Sequence, residues 1–220
     1  ENRGGQRHAM NLANKLTVGR ILLIPLIVGF LQVENLSNNL KFVLCGRVAA
    51  LVLFIVASVT DMLDGYLARR YSMITNFGRL MDPLADKLLT MAAFVCFVEI
   101  RGPNNLPVFP AWAIVLILAR EFLVTGLRAL ALEHGRVIQA DHLGKHKTIW
   151  QLIGISTVIA ALSLRDYLRL TQSPLLPTVD RWLPWGFAAI LAIILILTVL
   201  SGVVYVAKNW DVIADHDQVK

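Results

Sequence analysis

Six times between residues 16 and 207 the chain returns to an apolar run of membrane-crossing length: 16–33, 45–70, 79–100, 110–133, 147–164 and 183–207. A helix needs about 20 such residues to cross a hydrocarbon core of about 30 Å. Backbone polar groups have no water to bond in lipid, which leaves only helices or closed barrels, and runs of this length are helical. The expected fold class is an all-α integral membrane protein with six transmembrane helices. Of the 220 residues 56% are hydrophobic and 16% charged, against about 25% charged in soluble domains. Cys45 and Cys96 lie in apolar runs and read as small core side chains, so neither a disulfide scaffold nor a metal knuckle is expected.

The first run is not a cleavable signal, because no small-residue cleavage site follows it. Residues 1–9 (ENRGGQRHA) carry no pattern and are set apart as an expression remnant or a basic arm. Residues 10–220 are expected to form one membrane domain. Within 10–17 (MNLANKLT), Leu12 and Leu16 share a helical face among polar neighbours, which predicts a short N-terminal helix lying along the interface. Trp182 and Trp185 open the last run while Tyr205 and Trp210 close it, the placement of interfacial anchors. Residues 165–182, with Pro174 and Pro177, are read as an irregular linker.

Six spans put both termini on one side. Of the 21 Lys and Arg residues, Lys41, Arg47, Arg101, Arg165, Arg169 and Arg181 fall on the opposite side, Lys87 and Arg120 fall inside spans, and the other thirteen lie on the side of the termini. Basic residues stay on the cytoplasmic side, so the termini are expected there, in a bacterial inner membrane. Orientation thus accounts for most of the net charge of +6, and no nucleic-acid partner is implied.

Four of the ten aspartates stand in one stretch, DMLDGYLARRYSMITNFGRLMDPLAD. Asp61 and Asp64 are three apart and Asp82 and Asp86 four apart, so each pair shares a helix face. The run from Val48 to Val59 is too short to cross alone, and its helix completes a span only by continuing to about Asp64. Leu88 to Ile100 likewise needs Asp82 and Asp86. The short connection near residues 70–78 makes the two helices antiparallel neighbours. Asp64 and Asp82 are then equidistant from the turn, and Asp61 and Asp86 nearly so. Four converging carboxylates within the membrane would each cost roughly 2.5–3.5 kcal/mol, a cost that two divalent cations relieve. An all-oxygen donor set favours Mg²⁺, Mn²⁺ or Ca²⁺ over zinc. Protonated acids, or acids paired with Arg69, Arg70 and Arg79, are the structural alternative.

The spacing Asp61-x2-Asp64-Gly65-x2-Ala68-Arg69-x8-Gly78-x3-Asp82-x3-Asp86 resembles in full the signature of the CDP-alcohol phosphotransferase family. The resemblance implies six transmembrane helices, an interfacial N-terminal helix and a homodimer. It further implies that Asp61, Asp64, Asp82 and Asp86 hold two divalent metal ions, Mg²⁺ or Mn²⁺, with Asp86 also the general base. CDP-diacylglycerol is implied at Asn14, Thr17, Asp61, Gly65, Ala68, Arg69 and Gly78. The likeness is greatest to members that pass the phosphatidyl group of CDP-diacylglycerol to glycerol 3-phosphate. It extends to Asn14-x2-Thr17-x2-Arg20, to Ala119-Arg120-Glu121 with Arg128, and to Gly144-Lys145-His146-Lys147-Thr148. Ala13 departs from the proline common in the family, which touches only how the first helix begins.

The basic residues add a physical reason for that acceptor. Arg120, Arg128, Lys145 and Lys147 fall on the side of the acids, Arg120 deeper than the rest. Arg120 and Arg128 are about 12 Å apart along a helix. A cationic wall beside a metal site suits an acceptor that carries its own phosphate, and the four are expected to bind glycerol 3-phosphate. An Arg120–Glu121 ion pair with positive-inside anchoring is the plain alternative. Members that make phosphatidylserine, phosphatidylinositol phosphate or cardiolipin remain alternatives for the acceptor. A cation transporter is disfavoured because Glu99 is the sole acid in the outer half of a span, and an intramembrane prenyltransferase because both acidic pairs flank a single turn.

Overall fold

The computed structural model describes residues 19–71, 76–133 and 142–209, with backbone alone for 61–71, 76–86, 129–130, 132–133, 142–143 and 145. The predicted interfacial helix at 10–17, together with Asn14, Thr17 and Trp210, lies outside the described residues. The described residues form helices α1 (Gly19–Leu31), α2 (Val33–Leu36), α3 (Leu40–Tyr71), α4 (Asn76–Glu99), α5 (Ala111–Glu133), α6 (His142–Leu170) and α7 (Leu176–Lys208), with no strand among them.

Three segments are long and apolar enough to cross a membrane by length and composition, Leu40–Thr60, His146–Leu170 and Leu176–Lys208, and α1 is a shorter apolar helix. Helix α5 has the length to cross but carries Arg120, Glu121 and Arg128 inside its apolar run. The outer surface is what lipid requires. On α7, Ile193, Ile196, Leu200 and Val203 recur at helical spacing and are exposed, forming an apolar stripe that a water-soluble protein would bury.

Helix α6 is central, packing on α3, α4 and α7. Its Ile155, Val158, Ile159 and Leu162 stand at i, i+3, i+4 and i+7 and are fully buried, so one face supplies the core. Gly154 brings α7 close, because a Cβ there would stand 2.8 Å from Ile194 Cδ1. At the end of α4 the ring of Phe97 meets Phe109 edge-on at 5.4 Å, which seats the loop leading into α5. Cys96 is buried as expected, whereas Cys45 is exposed, on the outside of α3 rather than in the core.

The linker read at 165–182 is instead mostly helix. Helix α6 runs to Leu170 and α7 starts at Leu176, so only residues 171–175 connect them. Pro177 falls in the first turn of α7, where no amide partner is lost. Two charged residues of this stretch, Arg165 and Asp166, are ion-paired. Arg165 Nε donates to Asp180 Oδ1 at 2.7 Å across the connection, and Asp166 accepts from Arg47.

Arg47, counted among the opposite-side basic residues, is 1% exposed and donates to both Asp166 on α6 and Glu34 on α2. Removing Arg47 leaves the buried Asp166 carboxylate without its counter-charge, which costs about 3–5 kcal/mol, whereas Glu34 is part exposed and its loss leaves a neutral pair. Arg47→Met should therefore lower the melting temperature in detergent sharply. Arg165→Met, whose partner Asp180 is part exposed, should lower it much less.

Candidate active site

The backbone places Asp61 and Asp64 near the end of α3, and Asp82 and Asp86 in the first half of α4. Residues 72–75 separate the helices, and the two pack on each other. The carboxylate positions, with Gly65, Ala68, Arg69 and Gly78, lie where side chains are outside the described set. Among the described residues no group of three or more His, Cys, Asp or Glu could hold a metal ion. The chemistry of the four aspartates fits hard divalent cations: four carboxylates in two one-turn pairs, with no sulfur or imidazole in either.

The first described side chain after Asp86 fixes what α4 faces. Lys87 Nζ meets Thr125 Oγ1 on α5. Thr125 lies one turn from Glu121, whose carbonyl its hydroxyl bonds at 2.7 Å, and between Arg120 and Arg128. The turn of α4 that carries Asp86 therefore sits beside the basic segment of α5.

That segment turns toward α7. Arg120 lies against Gly202: a Cβ there would stand 3.0 Å from Arg120 Cγ, so any larger residue would push the arginine stem aside. The guanidinium of Arg128 stacks over the Tyr205 ring, 5.5 Å from its centroid, a cation–π distance. The Nε atoms of Arg120 and Arg128 are buried with no hydrogen-bond partner among the described residues, as are Thr198 Oγ1 and Tyr205 OH. Buried polar groups are normally satisfied, so this cluster has hydrogen-bonding capacity in reserve for a polar ligand. Lys147 enters from α6, buried and ion-paired with Glu121, which also stands 3.6 Å from Arg120. Glu121 thus faces two cations, and Arg128 beside Tyr205 adds a third positive charge to the cluster. Lys145 lies on α6, its side chain outside the described set.

The structure thus brings together Arg120, Arg128 and Lys147 from the expected set. It adds a wall from α7 that sequence reasoning missed. Tyr205 is not an interfacial anchor: it is 3% exposed and supports Arg128, whereas Trp182 and Trp185 are exposed as anchors should be. A signal was available, since Thr198, Ser201, Gly202 and Tyr205 stand at i, i+3, i+4 and i+7 in an otherwise apolar helix. Such a polar and small-residue stripe marks one face.

The described residues form a helical bundle in which the α4 turn bearing Asp86 adjoins a buried cationic cluster. Residues 10–214 match the family model for CDP-alcohol phosphatidyltransferase, and the chain belongs to that family. It is 38% identical over 205 residues to a Bacillus subtilis protein named CDP-diacylglycerol–glycerol-3-phosphate 3-phosphatidyltransferase, covering 91% of this chain and 96% of that one. A Mycobacterium tuberculosis protein named probable phosphatidylglycerophosphate synthase is 35% identical over 204 residues, covering 93% and 84%. A Rickettsia typhi relative with the same name as the Bacillus protein is 38% identical over 149 residues, covering 68% and 76%.

Proposed function

We propose that this chain transfers the phosphatidyl group of CDP-diacylglycerol to glycerol 3-phosphate, giving phosphatidylglycerophosphate and CMP. The observation that carries the reading is the Lys87–Thr125 contact, which brings the α4 turn bearing Asp86 against the α5 segment bearing Arg120 and Arg128. The names of the relatives agree with it. Asp61, Asp64, Asp82 and Asp86 would hold two Mg²⁺ or Mn²⁺ ions. When bound, such ions polarise a diphosphate and stabilise its leaving oxygen.

The chain's own residues do the rest. Gly65, Ala68, Arg69 and Gly78, with Asn14 and Thr17, receive the CDP moiety. Arg120, Arg128, Lys145 and Lys147 hold the phosphate of the acceptor through charge-assisted hydrogen bonds. Asp86 takes the proton of the acceptor hydroxyl. The freed oxygen forms a bond to the phosphorus that bears diacylglycerol, the bond from that phosphorus to the CMP oxygen breaks, and CMP leaves with the electron pair. In this reading the bundle spans the membrane six times as a single domain, with both termini and the site cytoplasmic in a bacterial inner membrane, and works as a homodimer.

The test supplies labelled CDP-diacylglycerol with glycerol 3-phosphate, serine, inositol phosphate or phosphatidylglycerol, and follows CMP release with Mg²⁺ and with a chelator. Product should form with glycerol 3-phosphate and vanish on chelation. Product from another acceptor with none from glycerol 3-phosphate would sink the reading.

A further inference from the structure

At the far end of the bundle from the acidic motif lies a second polar site that the proposed reaction does not use. Asp64 stands about 36 Å of helical rise from Leu40, and Leu40 lines an open pocket of about 710 Å³ between α2, the start of α3 and the α6–α7 connection. This is within the range of about 300–1,000 Å³ typical of small-ligand sites. Glu34 and Asp166 lie on its wall, Arg169, Ser37 and Asn38 line it, and Pro177 and Leu40 add apolar surface.

The charges in this pocket are arranged, not scattered. Arg47 bridges Glu34 and Asp166, cancelling one of their two negative charges and leaving −1. Asp166 is 1% exposed, and its Oδ1 has no hydrogen-bond partner among the described residues. A buried carboxylate oxygen in that state requires a donor. A single residual charge suits a monovalent cation better than a divalent metal ion. Arg169, exposed beside this, offers the opposite charge to an anion. Asp180 does not alter the balance, since it pairs with Arg165.

We infer that this pocket binds the headgroup of a phospholipid bearing a primary ammonium, with the ammonium donating to Asp166 and Glu34 and the phosphate held by Arg169. The apolar exterior of α7 beginning beside it gives the acyl chains a surface to follow. Ammonium and phosphate are also joined in free phosphoethanolamine, but that molecule has no acyl chains to use this surface, so the lipid is the occupant.

Native mass spectrometry of the full chain released from micelles, with equimolar phosphatidylethanolamine, phosphatidylcholine and phosphatidylglycerol, tests this. The quaternary choline has no N–H and the glycerol headgroup no positive charge. The phosphatidylethanolamine adduct should exceed each of the others about tenfold, the worth of one charge-assisted hydrogen bond. Arg169→Ala and Glu34→Gln should each reduce that preference with the melting temperature of the protein in lipid-free micelles retained. Phosphoethanolamine at the same concentration should not displace the lipid. Equal retention of all three lipids, preference for phosphatidylglycerol, full retention of the preference in both variants, or displacement by phosphoethanolamine would each overturn the inference.

Discussion

Asp86→Asn should lower turnover by a factor of about 10³ or more while CDP-diacylglycerol binds within about threefold of its wild-type affinity. The substitution keeps the size of the side chain and removes its charge and basicity. Asp86 stands one helical turn beyond Asp82 on α4, and the residue after it touches Thr125 on α5. Of the four aspartates it is therefore the one whose turn is tied to the basic segment that would hold the acceptor. A base must reach the acceptor hydroxyl, and this is the position that lets an aspartate serve both substrates. CMP release and equilibrium binding of the lipid nucleotide, measured on the same preparation, separate the two roles. Residual turnover within about tenfold of wild type would remove Asp86 from proton transfer.

Arg120→Ala should raise the KM for glycerol 3-phosphate about 30-fold or more, with kcat and the affinity for CDP-diacylglycerol little changed. The size follows from losing a charge-assisted contact to phosphate in a desolvated pocket, worth about 2–3 kcal/mol. A KM effect without a kcat effect is the signature of an interaction made equally in the ground and transition states. The packing of Arg120 on Gly202 supplies a companion. Gly202→Ala places a methyl group against the arginine stem, so the side chain must shift, and the same KM should rise by a smaller factor, about 3–10-fold. Equal weakening of both substrates in Arg120→Ala would argue for a general packing defect instead.

The acidic motif was legible because helix geometry turns short spacings into shared faces. Asp61 and Asp64, and Asp82 and Asp86, need only i+3 and i+4 periodicity and a short turn to be placed. The helical class was legible for a similar reason, since a long apolar run in lipid has one economical solution. Element ends were less legible. The linker read at 165–182 from Pro174 and Pro177 took in Arg165 and Asp166. They remain helical because their partners, Asp180 and Arg47, arrive from other elements.

The sequence by itself determined the membrane-embedded helical fold and the residue types able to hold hard metal ions and phosphate, since both rest on local periodicity and on the cost of burying charge. Only the tertiary structure decided which groups stand beside them. Gly202 and Tyr205 join Arg120 and Arg128 across the α5–α7 interface, and Arg47 meets Asp166 at a separation of 119 residues. Those pairings follow from which faces turn inward when the described helices share one core. No spacing along the chain encodes that choice, because it is fixed by the packing of all the faces together.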